Sequence, residues 1–263
     1  MRLMLVNMPW QWLQMPSISI GILRACVSNT IPDIEVEDYY ANLKWSDYLL
    51  EQSHGEFTPT QYEEIADIGM FHGIGDWVFA PTVYDDDSWR DEEFSSYMRD
   101  TGVAALSDIA HVARHYVRPF IAEVVTDILA WRPTVVGFTT SFSQTMPALA
   151  AARHLKAAAP DVITVLGGSN CEDTMGAALH RNFPFIDFVI RGEGERSFPQ
   201  LLAGLCKPTT EEAELAKVAG LCWWSGAGDV RASHANSASH SFVPVREIPA
   251  LITPHGPMLL TAA

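Results

Sequence analysis

Three short polar segments each follow an apolar run: Thr139-Thr140-Ser141-Phe142-Ser143, Gly167-Gly168-Ser169-Asn170 and Gly192-Glu193-Gly194-Glu195. Their hydroxyls and amides can bond the polar edge of a ligand. Their glycines let a large, flat or phosphate-bearing molecule lie against bare backbone. This is chemistry of holding rather than cleaving. No Ser/His/Asp set or carboxylate pair has a spacing that supports acid–base or nucleophilic work. His111 and His115 lie one helical turn apart, with Asp108 a further turn back, a spacing that can place ligands on one face. No third ligand cluster accompanies them, and they read as a satisfied surface pair. Cys26, Cys171, Cys206 and Cys222 form no CxxC motif and no disulfide framework, and most read as small core residues.

The elements that must position these loops can be read from periodicity. Leu3–Val6 is a continuous apolar run, as in a strand buried on both faces. Ser17 is a plausible N-cap for a helix that carries Ile18, Ile22, Leu23, Cys26 and Val27. Ile34–Tyr39 alternates like a more polar strand near an edge. Residues 41–131 interrupt the rhythm as a long insertion of loops and short helices, and Pro119 should divide the helical stretch Val103–Trp131. Val135–Phe138, Val162–Leu166 and Phe188–Ile190 are strands three to five. Helices follow over Ala148–Ala159, about Thr174–Arg181 and about Ser197–Leu205. The predicted fold is α/β: a flavodoxin-like, doubly wound, parallel five-stranded sheet of order 2-1-3-4-5. It carries a helical insertion after strand two and a C-terminal hairpin and tail.

In such a sheet, ligands bind where the strand order reverses, between strands one and three. The loops Asn7–Pro16 and Thr139–Thr145 should therefore flank the ligand. Residues 1–205 form the predicted binding domain, and 206–263 a hairpin turning at Ser225-Gly226-Ala227-Gly228, a Ser/Ala/His-rich linker over 232–241 and an extended tail.

Bulk properties exclude several partners. The chain has 263 residues, 48% of them hydrophobic, and 17 Lys and Arg against 32 Asp and Glu give a net charge of −15. Nucleic-acid binding needs a basic footprint, and an anionic membrane repels such a surface. The sequence shows no signal peptide and no membrane-length apolar run, which predicts a cytoplasmic protein. Among nucleotide ligands, a flavin phosphate loop after strand one would be small and glycine-rich, whereas Met8–Pro16 is bulky. A receiver domain would place clustered acids there, and Gly192-Glu193-Gly194 lacks the third glycine of a dinucleotide loop.

The remaining pattern resembles the cobalamin-binding domains, in particular the N-terminal domain of cobalamin-dependent radical-SAM C-methyltransferases that mature ribosomal peptides. The resemblance is spread over roughly residues 1–250. It is carried by Leu5-Val6-Asn7-Met8-Pro9-Trp10, Pro16-Ser17-Ile18 with Gly21-Ile22-Leu23, and Gly75-Asp76-Trp77-Val78-Phe79-Ala80. Val136-Gly137-Phe138-Thr139-Thr140, Leu166-Gly167-Gly168-Ser169-Asn170-Cys171-Glu172 and Gly192-Glu193-Gly194-Glu195 complete it. It implies a cofactor-binding set of Asn7, Pro9, Trp10, Trp12, Thr139, Thr140, Ser141, Phe142, Ser143, Gly167, Gly168, Ser169, Asn170, Gly192, Glu193, Gly194 and Glu195. In this set Thr139, Thr140 and Ser141 bond the nucleotide tail or the corrin amides, and Gly167 and Gly168 give the tail room. On this reading Gly168→Val blocks the tail and leaves the fold intact.

Two departures shape the functional expectation. Asn7–Pro16 lacks the histidine of the DxHxxG loop that ligates cobalt in many cobalamin domains. No protein ligand to cobalt is therefore predicted, the benzimidazole is off the metal, and Trp10 or Trp12 faces the lower side of the ring. The CxxxCxxC motif of a [4Fe–4S] cluster is absent. The chain is accordingly expected to be inactive alone: a separated domain, a truncated product or a stand-alone protein. It would hold methylcobalamin for a radical-SAM domain that supplies the cluster and SAM and acts on a precursor peptide. The alternatives are a non-catalytic cobalamin carrier or sensor, and a fold relative that binds nothing.

Overall fold

The structure is a computed structural model and describes residues 1–226, 231–238, 243–244, 247–249, 251–253 and 256–258. Strand β1 (Arg2–Asn7) leads to α1 (Ile18–Thr30), whose N-cap Ser17 accepts the Ile20 amide through its hydroxyl. Strand β2 (Glu35–Tyr40) passes directly into α2 (Ala41–Gln52). There follow α3 (Pro59–Ala66), α4 (Ile74–Tyr84), α5 (Asp91–Asp100), α6 (Ala104–His115) and α7 (Val117–Ala130). The rest comprises β3 (Val135–Thr139), α8 (Thr145–Ala158), β4 (Ile163–Gly167), α9 (Asp173–Asn182), β5 (Phe188–Ile190), α10 (Gly194–Leu205) and α11 (Glu212–Leu215). Strands β6 (Leu221–Ser225) and β7 (Ala232–Ala235) come next, and β8 (Leu251–Thr253) with β9 (Gly256–Met258) forms a separate antiparallel pair.

The main sheet has seven strands, not five, in the order β2-β1-β3-β4-β5-β6-β7. Strands β1 to β5 are parallel. The hairpin is not an appendage: β6 pairs antiparallel with β5, and β7 with β6. The physical reason is edge protection, because β5 would otherwise leave its hydrogen-bonding row unpaired. Leu221, Cys222 and Trp223 are buried there. Strand β7 occupies the start of the stretch read as a linker. Ala227 and Gly228 of the turn, residues 239–241 of the linker and residues 245–246, 250 and 254–255 of the tail lie outside the described residues.

The insertion is also more ordered than its composition suggests, being six helices, α2 to α7. Its aromatic residues are the cause. Trp45, Tyr62 and Phe79 pack around Trp10 with ring centroids 5.0–6.4 Å away, and the tilted ring of Phe120 lies 4.5 Å from that of Trp45. Buried aromatics of this size dominate the packing energy of such a layer. Pro119 lies in the first turn of α7, where a missing amide removes no helical bond, and α6 ends just before it.

Period-two alternation assigns strand side chains to two cores. Met4, Val6, Val136, Phe138 and Leu166 meet the helices of the insertion together with α8. Leu3, Leu5, Val135, Val165 and Ile190 meet α1, α10 and α11.

Asp76 of α4 joins the insertion to the sheet layer by accepting the Met146 amide of α8 at 2.8 Å. Burial pushes its carboxyl up to about 6, opposed by bonds from the Met146 and Thr145 amides. The protonated form is therefore favoured on folding. This contribution is fully present below the unfolded value near 4 and is lost as pH rises through about 6. Asp76→Asn should gain stability relative to the parent between pH 4 and pH 7, by on the order of 2 kcal/mol after allowing for partial solvent screening. Urea unfolding of both proteins at the two pH values measures this difference.

Candidate functional site

The cavity originates in the alternation of β3 and β4. On the α1/α10 face, β3 presents Val135, Gly137 and Thr139, while β4 presents Ile163, Val165 and Gly167. The register places Leu5 beside Gly137, Gly137 beside Val165, and Thr139 beside Gly167. Two neighbouring strands thus lose side-chain bulk on one face near their carboxyl ends. The result is a cavity of about 480 Å³. Leu5, Val165, Leu166, Ile190 and Phe198 give it apolar walls, and Ile18, Ile20, Ile22 and Leu23 of α1 close one side.

The mouth is polar. Ser19, Thr139, Ser141 and Ser169 line it, and the Ser19 hydroxyl lies 3.2 Å from that of Thr139 and 3.0 Å from that of Ser17. Glu172, Glu193 and Glu195 complete the rim, and no Lys or Arg is among the lining residues described. Burial raises the Glu193 carboxyl, and the charges of Glu195 and Glu172 raise it further. Glu195 keeps Oε2 buried without a hydrogen-bond partner. Such an atom is an unused acceptor.

Of the residues singled out from sequence, the cavity brings together Thr139, Ser141, Gly167, Gly168, Ser169, Gly192, Glu193, Gly194 and Glu195. The others lie elsewhere. Asn7 is buried, donating to Asn42 Oδ1 at 3.0 Å and accepting from Gln144 Nε2 at 3.2 Å. Pro9 is buried beside it, and Trp10 is core on the opposite face of the sheet. Trp12 is 41% exposed. Thr140 turns inward, donating its hydroxyl to the Gly167 carbonyl at 2.9 Å. Ser143 is buried, Phe142 is exposed, and Asn170 bonds the Phe142 carbonyl and the Thr145 hydroxyl.

His111 is satisfied locally, its Nδ1 lying 2.7 Å from the Ser107 carbonyl. Among the described residues no group of three His, Cys, Asp or Glu is arranged to hold a metal ion. The expected binding set omitted Ser19 and Phe198, and it left out Leu5 and Gly137 although both lie in segments that carry the resemblance. A glycine inside an otherwise apolar strand was the available signal, since it marks a close approach.

The two consecutive glycines differ. Gly167 faces open space, and a Cβ there would meet nothing nearer than the Ile190 carbonyl at 3.9 Å. Gly168 has φ +105° and its Cβ would sit 2.2 Å from the Thr140 carbonyl oxygen, inside the β3–β4 loop crossing. This corrects the expectation that Gly168→Val would leave the fold intact. Gly168→Ala should lose roughly 2–4 kcal/mol from combined strain and overpacking. Gly167→Ala should change stability by less than about 1 kcal/mol. Thermal unfolding of the pair reads the contrast.

Residues 94–202 match the family model for the B12 binding domain. The hopanoid C-3 methylase of Methylococcus capsulatus is 27% identical over 128 residues, which are 48% of this chain and 24% of that protein. Two structures of the radical S-adenosylmethionine methyltransferase TsrM from Kitasatospora setae are also similar. One holds a tryptophan substrate and a SAM analogue; it is 14% identical with a TM-score of 0.46, over 84% of this chain and 28% of that one. The other holds cobalamin and a [4Fe-4S] cluster; it is 15% identical with a TM-score of 0.47, over 97% of this chain and 32% of that one. The chain spans about a quarter of the length of the curated relative it matches. None of the described helices is long and apolar enough to cross a membrane. The match to the B12 binding domain model spans the segment that builds β3, β4, β5 and the helices between them.

Proposed function

We propose that the cavity seats the nucleotide tail of a cobalamin, with the corrin ring at the carboxyl ends of β1, β3 and β4, so that this chain presents methylcobalamin for methyl transfer. One observation carries the reading: the segment that matches the B12 binding domain supplies Gly137, Thr139, Gly167, Gly192 and Phe198 to a single cavity. The residues present suit this group. The apolar walls match a flat benzimidazole. Gly167 and Gly192 leave open space where a Cβ would project. Hydroxyls of Ser19, Thr139, Ser141 and Ser169 match a ribose and a phosphodiester, and Glu172, Glu193 and Glu195 are acceptors for ring amide N–H groups. With no cation in the lining, a terminal phosphate dianion would find no counter-charge, whereas the single phosphodiester of cobalamin is offset by its own cobalt.

When bound, cobalamin supplies a cobalt–carbon bond to a transferable methyl group. This chain's residues bind and orient. With cobalamin bound, the α1 side chains and Phe198 would exclude water from its tail, and the space over Gly167 would hold the base between β3 and β4. The segment between β1 and α1 contains no histidine that would ligate the cobalt in place of the base. The SAM, the [4Fe–4S] cluster and the radical step belong to a separate radical-SAM domain, and the methyl acceptor is a ribosomal precursor peptide.

The test is binding. The purified chain is incubated with hydroxocobalamin and desalted, and its visible spectrum is recorded. The parent should retain colour. Gly167→Leu, whose side chain enters the cavity, should retain at least 10-fold less cobalamin with an unchanged melting temperature. A colourless parent would contradict the proposal.

A further inference from the structure

Phe142 is an anomaly that cofactor binding by the cavity alone does not explain. It has φ +50° and is 68% exposed. A bulky residue in the left-handed region is strained, and here no burial of the phenyl ring offsets the strain. The surroundings hold it in place nonetheless. Ser141 and Gln144 form reciprocal capping bonds across it, Gln144 is anchored to Asn7 and to the Met8 carbonyl, and Asn170 donates to the Phe142 carbonyl. The framework fixes an aromatic ring in solvent.

Its position gives the reason. Beside the cavity mouth lies a shallow groove lined by Phe142, Asn170 and Met175, the last 54% exposed. The chain passes from the lining of the cavity to that of the groove in consecutive residues twice. Ser141 lines the cavity and Phe142 the groove; Ser169 lines the cavity and Asn170 the groove. Phe142 therefore stands one residue beyond the cavity lining, within reach of a flat ligand that is wider than the cavity.

Resting on the cobalamin reading above, we infer that Phe142 is a preset apolar platform for the face of the corrin ring. The strain is retained because a ring already in place loses no freedom when the ligand lands on it. Met175 extends the same surface.

The experiment separates the two parts of the ligand. Hydroxocobalamin, cobinamide (ring without the nucleotide) and α-ribazole (tail without the ring) are titrated against the parent, Phe142→Asn and Phe142→Tyr. Asn tolerates the left-handed conformation, so the melting temperature of Phe142→Asn should hold or rise. Its cobalamin and cobinamide affinities should fall about 10-fold, with α-ribazole affinity unchanged, and Phe142→Tyr should restore ring binding. A Phe142→Asn protein that binds all three probes like the parent would overturn the platform alone. Equal losses for all three would also overturn it, by showing a structural role. A parent that binds neither cobalamin nor α-ribazole would overturn the platform and the cofactor reading together.

Discussion

Gly137 and Gly167 face the same side of adjacent parallel strands, and that side is otherwise filled with Val and Ile. A packed sheet layer leaves few voids larger than water, because each gap forfeits dispersion contacts on its lining. Leu5 Cδ2 and the Phe198 ring lean over Gly137, 3.2 and 3.4 Å from where its Cβ would stand, while Gly167 keeps open space on the same face. Every functional statement about this chain follows from that omission. The hydroxyls of Ser19 and Thr139 matter because they stand at its mouth, and the carboxylates of Glu193 and Glu195 matter because they rim it.

The opposite face of the sheet shows what stabilises such an omission. Trp10, Trp45, Tyr62, Phe79 and Phe120 form a continuous aromatic core under the insertion helices, and burial of rings this large is the main apolar gain on that side. The two faces meet at the loop after β3. Asn7, Asn42 and Gln144 form a buried amide network beneath that loop, and Asn170 ties it to the loop after β4. Buried networks with their members satisfied rigidify what they touch. The rigid half of the molecule thereby sets the position of residues 139–142 at the edge of the open half.

The five parallel strands, their pairing and the three small-residue loops after β3, β4 and β5 were legible in the sequence, because a period of two and small residues after an apolar run have direct physical causes. The finer placement was not. A loop rich in Trp and Met reads alike whether it lids a ligand or plugs a core, and only the six insertion helices decide that Trp10 is core. Gly167 and Gly168 are indistinguishable as letters, yet one faces the cavity and the other the Thr140 carbonyl. The hairpin of β6 and β7 was legible, but its addition to the sheet was not, because the βαβ rhythm does not announce strands that add to an edge. Gly137 was left out of the binding set for the plainest reason: a missing side chain leaves no signal except its absence from a pattern.

The claim that this glycine-made space exists for a nucleotide tail is tested most directly by a crystal structure of the chain grown with hydroxocobalamin. The account predicts density for the benzimidazole between Leu5, Gly137, Gly167 and Phe198, detached from cobalt. Density showing the base still on cobalt, with the space between β3 and β4 empty, would contradict it.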